Sequence, residues 1–217
     1  MLYEDYEKIM DKIFCIGMNK TGTTSLKFEF LRLDYNVAPQ RDIEKKFWAY
    51  KNNRWDVIID YCKKYHFFQD FPFSFPNTFK EIDKEFDAKF ILTIRNSADE
   101  WYDSLIRFHK KRKAFNSKGK LPTANNLKNA SYVRKGWMYD AHISLFDVTD
   151  DDLYNKEKLV KAYNDYNNEV IDYFGDRDDF IILNLSETNS YFKFKKFIGI
   201  ETPYNEFLHL NKSKDIK

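Results

Sequence analysis

The sequence predicts an α/β fold: a three-layer sandwich in which a mainly parallel sheet lies between helices. Three observations carry that expectation. Apolar runs of strand length occur at residues 13–16, 88–94 and 180–183, and stretches with helical spacing separate them. The run at 88–94 (Ala-Lys-Phe-Ile-Leu-Thr-Ile) is apolar almost throughout, as expected of a parallel strand covered on both faces. At 217 residues the chain suffices for one such domain with a substantial core and is short for two, so residues 1–217 are expected to form a single domain.

The first element organises the rest. Ile13, Phe14, Cys15 and Ile16 read as a strand, Gly17 to Gly22 as a tight turn, and Leu26, Phe30 and Leu31 recur at helical spacing. Two glycines five apart let the backbone fold into a nest of N–H groups, and the following helix turns its positive end to the same point. Such a loop holds an anion. It fits the phosphate-binding P-loop, G-x-x-x-x-G-K-[ST], except that Thr23 stands at the lysine position and the cation lies inside the loop, at Lys20. The usual loop sets its lysine on the β and γ phosphates and a hydroxyl on Mg²⁺, which suits triphosphate cleavage. A lysine within the loop faces a different bond.

Downstream, an extended piece at 35–38 is closed by Pro39. Helices are expected at 42–50 and 55–65, with Asn52-Asn53 as the break between them. A short strand at 66–70 runs into Phe71-Pro72-Phe73-Ser74-Phe75-Pro76, where proline at both ends forbids helix. Asn77 is placed to cap a helix over 77–86. After the strand at 88–94, Arg95 and the capping-box pair Ser97 and Glu100 open a helix running toward Lys113. Residues 116–128, with Gly119, Pro122 and Asn125-Asn126, read as an exposed loop and the most mobile segment. Helices follow at 132–146 and 156–174, the second with Leu159, Tyr163, Tyr166 and Val170 along one side and Gly175 as its stop. A last strand at 180–183 and a helix at 191–198 precede Gly199 and a proline-containing tail.

The run Lys20-Thr21-Gly22-Thr23-Thr24-Ser25 resembles the 5′-phosphosulfate loop of sulfotransferases, which bind 3′-phosphoadenosine 5′-phosphosulfate (PAPS). Gln69-Asp70-Phe71-Pro72, Ala88 to Arg95, Trp101-Tyr102-Asp103-Ser104, Phe197-Ile198-Gly199-Ile200, and Pro203, Phe207 and His209-Leu210-Asn211-Lys212-Ser213 extend the likeness to a bacterial-type branch, so matching segments fall from residue 13 to residue 213. The resemblance implies a P-loop-like sulfotransferase fold that passes a sulfuryl group from PAPS to a hydroxyl or amine and releases PAP, without a metal.

The resemblance also assigns site residues. Lys20, Thr21, Gly22, Thr23, Thr24 and Ser25 would hold the 5′-phosphosulfate, with Lys20 neutralising charge on the leaving phosphate. Arg95, at a strand end, suits the 3′-phosphate, because guanidinium grips phosphate bidentately and is always charged. In the family a Ser stands on the next helix eight residues beyond that arginine. Here the eighth residue is Asp103 and the ninth Ser104, which keeps the role if the extra residue lies in the turn at 96–98. The base that cytosolic members supply as His two residues before a Pro is here Asp70. A carboxylate can serve, particularly with Phe68 and Phe71 raising its pKa, but Asp70 is equally readable as a cap or loop-fixing residue. His66 and His109 are the alternative bases. Arg134-Lys135-Gly136 matches a family triplet that belongs nearer the C-terminus, and is read as coincidence. The basic run 109–113 is read as a solvated helix end that could border an acidic acceptor.

A net charge of +2 speaks against nucleic acid. Cys15 and Cys62 fit neither a disulfide framework nor a metal spacing and are expected as buried free thiols. The acidic N-terminus has no apolar core of a leader and no stretch approaches a membrane span, so a soluble cytoplasmic enzyme is expected. Sugar, lipid, phenol, amine or peptide side chain all stand as acceptors. Two other readings are a P-loop nucleotide kinase or NTPase, which Thr23 and the lack of an Asp after the 88–94 strand disfavour, and a non-catalytic PAP- or PAPS-binding module.

Overall fold

The computed structural model describes residues 11–208; the acidic N-terminus and the His209-Leu210-Asn211-Lys212-Ser213 segment lie outside the described residues. Four strands, β1 (Lys12–Cys15), β2 (Phe67–Phe68), β3 (Ala88–Thr93) and β4 (Phe180–Leu183), pair in the order β2-β1-β3-β4, all parallel. Parallel strands bury both faces, and the side-chain alternation along them divides the core in two. Phe14, Phe68, Phe90 and Leu92 point to one face, where Phe14 stacks on Phe68 at 4.4 Å. They pack there against α4 (Trp55–Cys62), α5 (Thr78–Glu85), α6 (Ala98–Lys111) and α9 (Lys156–Phe174). Ile13, Cys15, Phe67 and Ile91 point to the other, under α1 (Thr23–Arg32) and α10 (Ser190–Ile198). Helices on both sides of a parallel sheet make the expected three layers.

Strand order fixes where a ligand can bind. From β1 the chain goes to one side for β2 and to the other for β3, so the topological switch point lies between β1 and β3. A crevice opens outside the carboxyl ends of strands at such a point. Those ends carry the Gly17–Gly22 loop and Arg95.

Several elements differ from expectation, each for a local reason. Strand β2 is only two residues long, since Asp70 turns the chain with φ 53°. Its edge is covered by the extended piece before Pro39, where Val37 bridges Phe67 and the Ala38 N–H donates to the Phe67 carbonyl at 2.9 Å. The helix expected at 42–50 is split into α2 (Gln40–Glu44) and α3 (Phe47–Lys51). The Glu44 carbonyl that would continue it accepts instead from the Trp137 indole at 3.0 Å. Helix α4 stops at Cys62 because the Lys12 ammonium takes the carbonyls of Cys62 and Tyr65, both at 2.8 Å.

The expected loop at 116–128 contains α7 (Ala124–Asn129). A Thr123–Asn126 capping box opens it, and fully buried Leu127 packs with Phe115 and Leu153. Finally, α8 (Trp137–Leu145) begins five residues later than expected, after Gly136 in the left-handed region at φ 78°. Arg134-Lys135-Gly136 therefore lies in a turn and not on a helix, with Arg134 ion-paired to Asp140.

Candidate active site

The loop after β1 is shaped by two close fits. Gly17 passes so near β3 that a Cβ there would lie 2.2 Å from Thr93 Oγ1 and 2.4 Å from the Thr93 carbonyl oxygen, so only glycine is accommodated. Thr21 is buried against the same strand residue. Its hydroxyl donates to the Met18 carbonyl at 2.6 Å, leaving its oxygen to accept from Thr93 Oγ1 at 2.6 Å. The Thr21 hydroxyl, expected among the anion-holding groups, is thus spent inside the loop, and only its backbone is left for a ligand.

Helices clamp the loop from the outside. The Trp101 indole of α6 donates to the Asn19 carbonyl at 3.0 Å, and the Tyr166 hydroxyl of α9 donates to the Ile16 carbonyl at 2.6 Å. Lys20 (φ 71°) and Gly22 (φ 108°) are both left-handed, which turns the chain sharply into α1. Gly22 is the N-cap and supplies no side-chain cap, so the first N–H groups of α1 keep their hydrogen-bonding capacity for an anion. Thr23 and Thr24 face the adjoining cavity, whereas Ser25 is half-buried.

Arg95 leaves the end of β3 and reaches back to this loop. Its Nε donates to the Lys20 carbonyl at 2.7 Å, its Nη1 lies 3.4 Å from Glu100, and its backbone N–H donates to the Tyr163 hydroxyl at 3.1 Å. Ser97 caps α6 by accepting from the Glu100 N–H at 3.1 Å. On that helix Glu100, Ser104 and Phe108 recur every fourth residue and share one face. Glu100 meets Arg95, and the Phe108 ring lies 3.8 Å beneath the Lys20 ammonium. Ser104 stands between these two contacts. Asp103 is exposed on the neighbouring stripe with Asp99, which pairs with Lys156 at 2.6 Å.

Beside the loop lies a cavity of about 300 Å³ that takes in Lys20, Thr23, Thr24, Asp70, Phe108 and Arg112. Burial pulls the Lys20 ammonium down to about 8, with Arg95 and Arg112 adding to the effect and Asp70 opposing it. Burial raises the Asp70 carboxyl, against the nearby Thr23 hydroxyl and the Lys20 and Lys27 charges. The residue keeps some exposure, yet its Oδ1 is shielded from solvent and makes no hydrogen bond, while Oδ2 accepts from Gln69 at 3.2 Å. His109 also faces the cavity, its Nδ1 engaged with the Tyr154 hydroxyl at 2.8 Å, and burial drives it well below the ordinary imidazole range. His66 sits at the opposite, amino end of β2, away from these groups. Among the described residues no cluster of His, Cys, Asp and Glu could hold a metal ion, and no helix is long and apolar enough to cross a membrane.

A family model described as a Sulfotransferase domain matches residues 12–216, nearly the whole chain. The chain belongs to the sulfotransferase family. No curated protein matches it.

Several roles around this site escaped the sequence. Thr93 lies in an apolar strand, Tyr163 and Tyr166 on the apolar side of a helix, and Trp101 in a segment matched to the family without a role, and their polar atoms prove to anchor the loop and Arg95. His142 lines the same cavity, with Nε2 held against the Leu153 carbonyl at 2.7 Å. The pairing of Trp101 and Tyr166 with loop carbonyls has no short-range sequence signal, since the partners are 82 and 150 residues apart.

Proposed function

We propose that this sulfotransferase uses PAPS as donor and transfers its sulfuryl group to a hydroxyl or amine acceptor, releasing PAP. The observation that carries the reading is the Arg95–Lys20 contact, 2.7 Å between Nε and the carbonyl oxygen, which brings two cationic anchoring points together across the switch point of the sheet. PAP carries phosphate at both ends of one adenosine, and a site for it needs two such points. The open N-terminus of α1 with Lys20 suits the 5′ group, and Arg95 with Ser104 suits the 3′-phosphate.

PAPS supplies an activated sulfuryl group. What the chain must add is position and charge: Lys20 and the N–H groups of residues 22–25 offset the negative charge that grows on the leaving phosphate. Thr23 and Thr24 add hydroxyl donors. Asp70 takes the proton of the acceptor hydroxyl through Oδ1, which is buried without a hydrogen-bond partner beside Lys20 and Thr23. Asp70 is preferred over His109, whose burial makes it a weak base, and over His66, which is remote.

Thermal shift with PAP, ADP and ATP, each with and without Mg²⁺, tests the donor. Stabilisation by PAP without metal is expected. Metal-dependent stabilisation by ATP with none by PAP would instead favour a nucleotide kinase or NTPase. Transfer from labelled PAPS by wild type and Lys20→Ala tests the chemistry: turnover lost with Lys20 supports the reading, and turnover unchanged refutes it. PAP binding with no transfer to any acceptor would leave a binding module.

A further inference from the structure

We infer that the acceptor is a compact hydroxyaryl compound bearing a carboxylate, and that Arg112 is the residue that recognises this carboxylate. The inference rests on the sulfotransfer reading and deepens it. Six aromatic rings, of Phe71, Phe75, Phe108, Phe146, Tyr132 and Trp137, wall the cavity. At about 300 Å³ it stands at the small end of ligand sites, and flat apolar walls favour a small ring over a sugar chain.

Outside the transfer chemistry, one charge that lines the cavity meets no ion-pair or side-chain hydrogen-bond partner among the described residues. Glu44 accepts from the Tyr132 hydroxyl at 3.0 Å through Oε1, and its Oε2, which makes no hydrogen bond, is ion-paired to Arg41 at 3.3 Å. Lys20 and Asp70 belong to the transfer chemistry. The Arg112 guanidinium enters no ion pair and no side-chain hydrogen bond among the described residues. It touches only rings, Tyr132 at 4.8 Å, Phe108 at 5.2 Å and Phe115 at 5.8 Å, and its Nε is shielded from solvent without a partner.

Elsewhere Arg32, Arg41, Arg54, Arg95, Arg134 and Arg177 each pair with a carboxylate. A guanidinium left unanswered where it lines a cavity is set for an anion that comes from outside, and its planar fork matches a carboxylate. Arg112 caps the C-terminal end of α6, one turn beyond Phe108. The same Phe108 ring carries Lys20 at 3.8 Å. Acceptor recognition and sulfuryl transfer thus flank a single ring, a spacing that a phenol with a short acidic arm spans.

The test uses the full chain saturated with PAP, so it does not depend on turnover. Isothermal calorimetry is run with 4-hydroxyphenylacetate, 4-methylphenol and tyramine on wild type, Arg112→Gln and Arg112→Lys, with circular dichroism to verify folding. Wild type should bind the carboxylate at least tenfold more tightly than the other two. Arg112→Gln should erase that preference with PAP affinity within threefold of wild type, and Arg112→Lys should keep part of it.

Undetectable binding of 4-hydroxyphenylacetate, a preference for tyramine, or a carboxylate preference that survives Arg112→Gln overturns the inference. A tenfold loss of PAP affinity in Arg112→Gln would assign the residue to the donor and overturn it too. Failure of wild type to bind PAP is a separate result: it removes the donor reading, and this inference falls with it.

Discussion

Arg95 donates from Nε to the backbone carbonyl of Lys20 at 2.7 Å, so the residue that ends β3 holds in place the one cation of the loop that follows β1. Lys20 adopts a left-handed conformation, φ 71°, which for a residue with a Cβ costs roughly 1–2 kcal/mol and persists only where the surroundings enforce it. Arg95 is part of that enforcement.

Replacing Arg95 therefore has two separable effects. Arg95→Lys keeps the charge but loses the fork, and PAP affinity should fall at least tenfold, about 1.4 kcal/mol. The loss should be clearly smaller for 5′-AMP, which lacks the 3′-phosphate. Calorimetry with both ligands decides between the roles: equal losses would mean that Arg95 serves only to hold Lys20.

Gly17→Ala should destabilise the fold, because the new Cβ would meet backbone atoms of Thr93 at 2.4 and 2.6 Å and a strand cannot yield as a flexible side chain does. A cost of about 2–3 kcal/mol in urea denaturation is expected. Gly119→Asn, at a left-handed glycine with nothing within 4 Å, should change stability little. Comparable losses in both would assign the effect to backbone freedom and not to the close approach.

Why some of this was legible and some not follows from the range of the signals. The strands at 13–16, 88–94 and 180–183, the loop between Gly17 and Gly22 and the Ser97 cap are written in neighbouring residues, and all form within a residue or so of their expected places. The helix at 156–174 matches end for end, stopped by Gly175. Failures occur where distant groups compete for the backbone. Trp137 takes the Glu44 carbonyl and splits one helix, and Lys12 ends another. In the site, Lys20 was visible as the cation inside the first loop and Arg95 as the charge at a strand end, but the inward turn of the Thr21 hydroxyl and the solitude of Arg112 depend on what lies opposite them in space.

Lys20 titrates near the working range, and this gives donor binding a proton signature. Burial and the neighbouring Arg95 and Arg112 pull its pKa down to about 8 in the free protein, and a bound anion favours the charged form and raises it again. PAP binding at about pH 8 should then draw a proton from solvent, an uptake that fades toward about pH 6.5, where Lys20 is already charged. Calorimetry in buffers of different ionisation enthalpy measures it. Lys20→Arg, charged at every such pH, should abolish the uptake.

Asp70 should govern the acid limb of the transfer reaction. Its carboxyl is raised by burial, so the ionised form needed to accept a proton is lost as pH falls through that raised value, above the ordinary 3.8. Asp70→Asn should lower kcat by about 10²–10⁴ and remove this limb from the kcat/KM profile, with PAP affinity little changed. A variant retaining more than a tenth of wild-type kcat would move the base elsewhere, and His109→Gln is then the next substitution to measure.

The register of α6 makes the last prediction, on the residue that accompanies Arg95. Counting from the arginine would bring Asp103 to the 3′-phosphate, but a helix presents residues four apart on one face. Glu100 touches Arg95 and Phe108 lies under Lys20, so the position between them on that face is Ser104. Asp103 lies on the stripe of Asp99, which holds the Lys156 ammonium in an ion pair at 2.6 Å. Ser104→Ala should weaken PAP about fivefold, the worth of roughly one hydrogen bond at 1 kcal/mol. Asp103→Ala should leave PAP affinity within about twofold. The reverse order of effects in parallel titrations would mean that the extra residue is absorbed within the helix, and that an acid faces the phosphate.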